Sequence, residues 1–403
     1  MDVIVVGGGA AGFFAALSVR EHHAHARITL LERSDKLLAK VRISGGGRCN
    51  VTHHALEPRK LANNYPRGGT FLRKAFERFN ARDTIAWFAA KGVQLKVETD
   101  GRMFPVSDSS NTIVDCLRNA AAEAGVEIRL HAVMQRLEQQ GDQGWLVHLG
   151  TGDALLADRV IITTGGHPKP TGYDWIGATG HGLVPPVPSL FTFNMPAEPI
   201  TALMGVVADP ARVRIIGTDL ESTGPLLITH WGMSGPAILR LSAWGARIIH
   251  DLGYRFILQV NWVGGEHEEK LRALLLTESE RQGRKQVQNV PVAGLPRRLW
   301  LFLLDKAGID PATCLGDMNK KERNRLVDLL TNDRFTVDGR TTFKEEFVTA
   351  GGIPLDEVDP ATMQSRKAPG LYFAGEVLDV DGITGGFNFQ AAWTTGFVAG
   401  HLA

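Results

Sequence analysis

The chain has 403 residues, 44% of them apolar, with 44 basic and 43 acidic side chains and a formal net charge of +1. That is enough chain for two or three packed units, and the charge balance offers nothing special to nucleic acid or an anionic membrane. Three cysteines (Cys49, Cys116, Cys314) with no CxxC exclude a disulfide framework and a zinc site, and no apolar run reaches the roughly 18 residues of a membrane span. No signal-peptide pattern precedes the first strand, so a cytoplasmic α/β protein is expected.

In chain order, residues 2–6 (DVIVV) suit a buried parallel strand, and GGGAAG follows with Gly7, Gly9 and Gly12 at G-x-G-x-x-G spacing. Residues 10–21 have helical periodicity, residues 27–31 (RITLL) form the next strand, and Glu32 stands about 20 residues beyond the last glycine. Each part has a task in dinucleotide binding. Gly7 allows the tight turn, Gly9 lets backbone approach a pyrophosphate, and Gly12 lets helix sit close to strand. The helix start offers free N–H groups and positive dipole, and Glu32 can accept the ribose hydroxyls. The fingerprint does not separate NAD from FAD. The stretch after it, RSDKLLAKVRISGGGRCNVT, does. It is glycine-rich and basic with little helix or strand pattern, an extended loop suited to a long ligand. Lys40 and Arg48 there suit a pyrophosphate.

KVRISGGGRCN (40–50) resembles the signature of the FAD-binding flavoproteins often named the aminoacetone oxidase family, relatives of the fumarate reductase and glutathione reductase flavoproteins. VIITTGG (160–166), HWGMSGPAILRLS (230–242) and the long block 348–396 carry the resemblance on. It implies FAD, with cofactor contacts at Gly7, Gly9, Ala11, Gly12, Glu32, Arg33, Lys40, Ser44, Gly47, Arg48, Cys49 and Asn50, and at the backbone of Val133 against the adenine. It further implies Thr164, Gly165, Gly166, Gly375 and Glu376, with Asp381 anchoring a loop or the ribityl chain, and Gly385, Gly386, Phe387 and Asn388 at the flavin's pyrimidine edge. GATGHG (177–182) resembles the TGDG of fumarate reductases, with His181 in place of the acid. Cys49 is open to three readings: a packed residue near the flavin, a thiol exchanging electrons, or a general acid or covalent group.

Between these blocks, a helix is expected over 83–92 with Asp83 as N-cap, and another over 110–124 with Cys116 beside its apolar face. Strands follow at 126–130, 133–137, 145–149 and 159–162, with a turn around Gly141–Gly144. Near the other end, PGLYFAGEV (369–377) is a short strand before Gly375–Glu376, and TGGFNFQAAWTTGFVAG (384–400) opens a long helix on a glycine pair. Its N–H donors would favour a reduced, anionic flavin.

The fold class expected is α/β: a Rossmann-like FAD-binding domain of glutathione reductase type (1–185 and 351–403), an inserted β-rich substrate domain (186–265 and 333–350) and a small helical subdomain (266–332). Strands are expected at 191–194, 205–207, 212–217, 226–229 and 253–263, and a hairpin over 336–348 turning at Asp338–Gly339. Helices are expected at 266–281, 296–307 and 319–331, the last with an Asn319/Glu322 capping box, forming a lid over the flavin. The basic clusters Arg281, Arg284, Lys285 and Lys320, Lys321, Arg323, Arg325 read as solvated helix faces. His167, His181 and His230 read as structural rather than as proton donors. The function expected is an FAD-dependent oxidoreductase moving a hydride between a small organic molecule and flavin N5. NAD(P)H, docking transiently, or oxygen is the other redox partner; no nucleic acid, membrane or metal is expected, and no catalytic residue is assigned. Amine oxidation and reduction of a conjugated C=C bond both remain open, and the alternative is a non-catalytic flavin-binding redox sensor or assembly protein.

Overall fold

A computed structural model of the chain describes residues 1–141, 144–341 and 348–402. Its backbone divides into two compact units, Met1–Ser189 with Phe343–Ala403, and Leu190–Thr342. Among the described residues no helix is long and apolar enough to cross a membrane.

The first unit is organised by a parallel sheet in the order Leu371–Phe373, Arg159–Ile162, Asp2–Val6, Arg27–Leu31, Glu127–Arg129. The three central strands are rich in Val, Ile and Leu and almost wholly buried after their first residue, because both faces are covered. The first helix, Ala10–His22, packs against the last, Phe387–Ala399. They approach closely because Gly396 faces the Ala11 carbonyl, where an added Cβ would come within 2.4 Å of the oxygen. The last helix buries most of its surface, so its polar residues must find partners inside the unit.

Three expectations here need correction. The stretch after Glu32 is not all loop: Ala39–Gly47 starts as a helix, because Leu38 and Val41 are both buried in the core. Extended Ser44 and left-handed Gly45 and Gly46 then break it. The helix expected from 83 runs Ala81–Ala90, with Asn80 as N-cap and Asp83 as the reciprocal capping-box partner. The strand Ala154–Ala157, missed in the sequence, completes an antiparallel meander with Met134–Gln139 and Trp145–Leu149. The turn residues 142–143 lie outside the described residues.

The second unit is a seven-stranded antiparallel sheet packed on helices. Val207–Ile215 is one strand where two were expected, with an irregularity between Ala208 and Ala211. The helices Glu268–Gln282, Arg297–Ala307 and Lys320–Asn332 share a single apolar core with the sheet. Asn319 and Glu322 form the expected capping box. The hairpin at Asp338–Gly339 is corrected too: Asp333–Asp338 pairs with Arg255–Asn261, whereas Arg340–Thr341 pairs with Thr192–Asn194. The remainder of that stretch, 342–347, lies outside the described residues.

Candidate cofactor site

The β–α turn after the first strand is fixed by contacts that exclude side chains. A Cβ on Gly7 would lie 2.4 Å from the Thr163 carbonyl oxygen, and one on Gly12 would lie 1.9 Å from that of Gly7. A Cβ on Gly9 would meet nothing within 4 Å. So Gly7 and Gly12 are demanded by the fold, while Gly9 lines open space at the helix start beside Ala11. The Gly8 N–H donates to Glu32 Oε2 at 2.9 Å, and the Ser34 N–H and hydroxyl donate to Oε1 at 3.0 and 2.8 Å. The carboxylate is thereby set in place at the end of the second strand, with exposed Arg33 next to it. The Ala132 N–H donates to the Glu32 carbonyl at 2.9 Å, which brings exposed Val133 to the same end.

The second glycine motif joins this turn directly. Thr163 Oγ1 donates to the carbonyls of Val6 (2.9 Å) and Gly7 (3.0 Å). Thr164 and Gly165 follow, Gly165 again with open space at its Cβ position. Gly166 lies against Glu376, whose Oε1 accepts from the Thr349 N–H at 2.8 Å and whose Oε2 accepts from Lys40 Nζ at 2.7 Å. Two residues expected to face the cofactor from opposite ends of the chain thus pair with each other. The Gly375 N–H is held by Thr395 Oγ1 at 2.8 Å.

In SGGGRCN, Gly46 and Gly47 are exposed with open space around them. Ser44 closes the turn: its carbonyl accepts from the Cys49 N–H at 3.0 Å, and its hydroxyl donates to the Val41 carbonyl at 3.0 Å. Arg48, expected at the pyrophosphate, is instead committed to Glu98 at 2.7 Å and lies 4.0 Å over the Phe104 ring. Cys49 is fully buried, and burial pushes its thiol up to about 12, so it is neutral at ordinary pH. The Asn50 amide sits between Gly386 and Thr52. With its oxygen toward Gly386 it accepts from that N–H at 3.0 Å, and its nitrogen donates to the Thr52 carbonyl at 3.1 Å. Asn50 therefore ties this stretch to the last helix, where a ligand contact was expected.

The same stitching continues for three more residues. Trp393 Nε1 donates to the Val51 carbonyl (2.9 Å), Thr52 Oγ1 donates to Gln390 Oε1 (2.6 Å), and the His53 ring stacks on Phe387 at 4.7 Å. Tyr65 Oη donates to the Phe387 carbonyl at 2.6 Å, and Asn388 clamps Gly382 through both its amide atoms at 2.8 and 2.9 Å. Gly385 and Gly386 lead into the helix, and a Cβ on Gly386 would lie 2.6 Å from the Thr52 oxygen. Asp381 has no exposed surface: it is paired bidentately with Arg67 and accepts from Ser189 Oγ at 2.6 Å. Burial raises its carboxyl and Arg67 lowers it. These contacts brace the loop, one of the two roles expected of it. Sequence reading missed Ser34, Tyr65, Arg67, Thr349 and Gln390, since each acts on a partner distant in the chain or carries no motif.

The expected histidines divide similarly. His181 is buried between the hydroxyls of Thr179 (2.8 Å) and Ser365 (2.7 Å), and burial lowers its pKa. The His167 N–H donates to Tyr173 Oη at 2.9 Å, and in the second unit His230 packs on Trp231. Among the described residues no cluster of histidine, cysteine and carboxylate side chains has the geometry to hold a metal ion.

A dinucleotide fits this donor set. Gly9, Gly46, Gly47 and Gly165 all present bare backbone to open space, and the N–H groups of the first turns of two helices lack intrahelical acceptors. A family model described as "HI0933-like protein Rossmann domain" matches residues 1–402. The chain is similar to the 3-dehydro-bile acid delta(4,6)-reductase of Clostridium scindens, at 28% identity over 99% of this chain and 98% of that one. It is also similar to the ribosomal RNA dihydrouridine synthase of Escherichia coli, at 30% identity over 98% and 96%. Among solved structures, 3-ketosteroid delta1-dehydrogenase from Sterolibacterium denitrificans shares the fold with a TM-score of 0.52 and 15% identity, covering 99% of this chain and 98% of that one.

Proposed function

The chain belongs to the HI0933-like Rossmann-domain family and is an FAD-dependent oxidoreductase, and from that premise we propose that it is a reductase which saturates a carbon–carbon double bond conjugated to a carbonyl. The named activities of two relatives that span nearly the whole chain support this reading. One is named a delta(4,6)-reductase and the other a dihydrouridine synthase, names that both denote saturation of ring double bonds. Bound FAD supplies the hydride at flavin N5, recharged by NAD(P)H.

The observation that carries the site assignment is a junction inside the first unit. Lys40–Glu376 and Asn50–Gly386 bind the N-terminal glycine stretch to the C-terminal glycine loop. In this reading the open backbone at Gly9 and the first turn of Ala10–His22 hold the pyrophosphate, and Glu32 and Val133 hold the adenosine. The N–H groups of Phe387, Asn388 and the next residue lie beyond the one Asn50 occupies. They face the pyrimidine edge and favour negative charge there. Cys49, buried and neutral, takes no part in the chemistry.

The test is anaerobic stopped-flow on the purified holoenzyme. NADH or NADPH should bleach the flavin, and a cyclic enone or a uridine-containing RNA should restore its colour. Bleaching by amines, with colour restored by oxygen alone, would make the protein an oxidase. A flavin inert to every donor would make it the redox sensor.

A further inference from the structure

A row of aromatic rings inside the first unit joins the start of the last helix to the protein surface. Phe389, in the first turn of Phe387–Ala399, stacks on Trp393 with ring centres 5.7 Å apart and planes 18° from parallel. Trp393 lies 4.7 Å from Phe14 of the first helix, and Phe14 lies 4.7 Å from Trp87 of Ala81–Ala90. Phe88 makes a second bridge, 5.9 Å from Trp393 and 5.0 Å from Trp87. By either path, one ring separates the two indoles.

The two indoles differ in their surroundings. Trp393 is fully buried, and its Nε1–H donates to the Val51 carbonyl at 2.9 Å, one residue from Asn50, which braces Gly386. Trp87 is half-buried, and among the described residues its Nε1–H has no protein acceptor and is not sealed from water. Packing alone does not ask for indoles here, because a phenyl or isobutyl group fills a core without an N–H that must find a partner. Indole is among the side chains most easily oxidised by one electron. A benzene ring resists oxidation and serves only as a medium through which the electron passes. An oxidised indole turns acidic at Nε1. At Trp393 that proton faces a carbonyl too weakly basic to keep it, whereas at Trp87 water can take it. Tyr65 does not compete, since its O–H donates to the Phe387 carbonyl at 2.6 Å and its ring is buried away from water.

We propose that Trp393 and Trp87 form a one-electron relay between the flavin and solvent, giving the holoenzyme a light-driven route to reduced flavin that does not need NAD(P)H. The oxidant is FAD excited by blue light. One electron leaves Trp393 for it, and one from Trp87 crosses Phe14 or Phe88 to refill Trp393. Trp87 releases its Nε1 proton to water. A small thiol in solution then returns one hydrogen atom, electron and proton together, to Trp87. Two passes deliver the two electrons that NAD(P)H brings as hydride, the accompanying protons come from water, and two thiols become one disulfide. The inference rests on the flavin lying at the start of the last helix, and not on which double bond the enzyme reduces.

The test uses anaerobic holoenzyme with dithiothreitol under blue light, without NAD(P)H. Wild type should bleach, and a laser flash should produce the transient absorption of a neutral tryptophanyl radical. Trp87→Phe keeps the ring packing, so flavin content, the thermal melt and dark reduction by NAD(P)H should match wild type, while the long-lived radical and most of the bleaching are lost. Trp87→Tyr, which restores an oxidisable ring with an ionisable O–H, should recover part of the bleaching. Trp244→Phe removes an exposed indole outside the row and should change nothing. Bleaching of Trp87→Phe at the wild-type rate, equal loss in Trp244→Phe, or wild-type bleaching with no tryptophanyl radical would each overturn the proposal. Failure of the flavin placement looks different, because Trp393→Phe would then leave the flavin's fluorescence at the wild-type level. If the placement holds and the relay alone fails, Trp393→Phe brightens the flavin while Trp87→Phe bleaches like wild type.

Discussion

The two glycine-led helix starts of the first unit reach the same chemical end by different means. At Gly7–Gly12 the backbone does most of the holding, with the Glu32 and Thr163 side chains added: the Gly7 N–H donates to the Leu31 carbonyl at 2.8 Å, and Gly12 rests on the Gly7 carbonyl. At Gly382–Gly386 side chains do the holding: the local Asn388, and Asn50, Tyr65 and Arg67 from far along the chain. Bare N–H groups can thus be presented either by a locally encoded turn or by a loop that folds only when distant segments arrive. The first should fail wherever its own glycines are changed. The second should fail from a distance.

The largest effect separates two glycines of one motif. Gly12→Val drives a side chain into backbone that has no room to move, and the first unit should not fold; the expected result is insoluble protein or loss of the cooperative melt. Gly9→Val meets no protein atom, so the chain should fold and melt cooperatively yet purify without flavin. A colourful, stable Gly9 variant would show that the open space there is not the cofactor's.

Next comes the distant brace. Arg67→Leu leaves the Asp381 carboxylate buried without its cation, which costs about 3–5 kcal/mol. At roughly 2–4 °C per kcal/mol for a unit of this size, the melting temperature should drop by about 10 °C, with flavin content reduced. Arg67→Leu combined with Asp381→Asn should recover part of the loss. If Arg67→Leu melts like wild type with full flavin, the C-terminal loop is as self-sufficient as the first turn and the contrast disappears.

That contrast also marks how far the sequence could be read. Gly7, Gly9, Gly12 and Glu32 lie within one β–α–β unit, and their spacing alone reports the geometry. The last helix was legible as a helix, but what fixes its start was not. Asn50 looked like a ligand contact because its partner, the Gly386 N–H, lies more than 300 residues away in the chain. Arg48 looked like a phosphate partner for a similar reason: Phe104 sits on a small antiparallel sheet, and Glu98 in the turn beside it, that no local pattern ties to Arg48. In the second unit, splitting Val207–Ile215 into two strands followed from the Asp209–Pro210 step, which reads as a break although the strand continues through it.

A smaller effect tests the first turn from its acid. Glu32→Ala removes the acceptor of the Gly8 and Ser34 donors and the proposed ribose contact together, a loss of about 1.5–3 kcal/mol for a charged hydrogen bond. FAD should dissociate about tenfold to a hundredfold more readily in titrations of apoprotein. Unchanged FAD affinity would confine Glu32 to bracing Gly8.

The smallest effect concerns Cys49, which lies in the stretch joining the two helix starts. If its role is packing, Cys49→Ser should keep FAD and its reduction by NAD(P)H. Its titration should appear only in stability. Burial places the folded thiol at about 12 against an ordinary value of 9.0, so the folded chain favours the neutral form. That contribution is complete below about pH 9. It is lost as pH rises toward 12, because the unfolded chain ionises first. Between those limits wild type should lose stability more steeply than Cys49→Ala in denaturant melts, and alkylation of the folded protein at neutral pH should spare this thiol. Rapid alkylation of Cys49 in the folded holoenzyme, or a Cys49→Ser protein that retains FAD but is no longer reduced, would move the thiol out of the packing and into the chemistry.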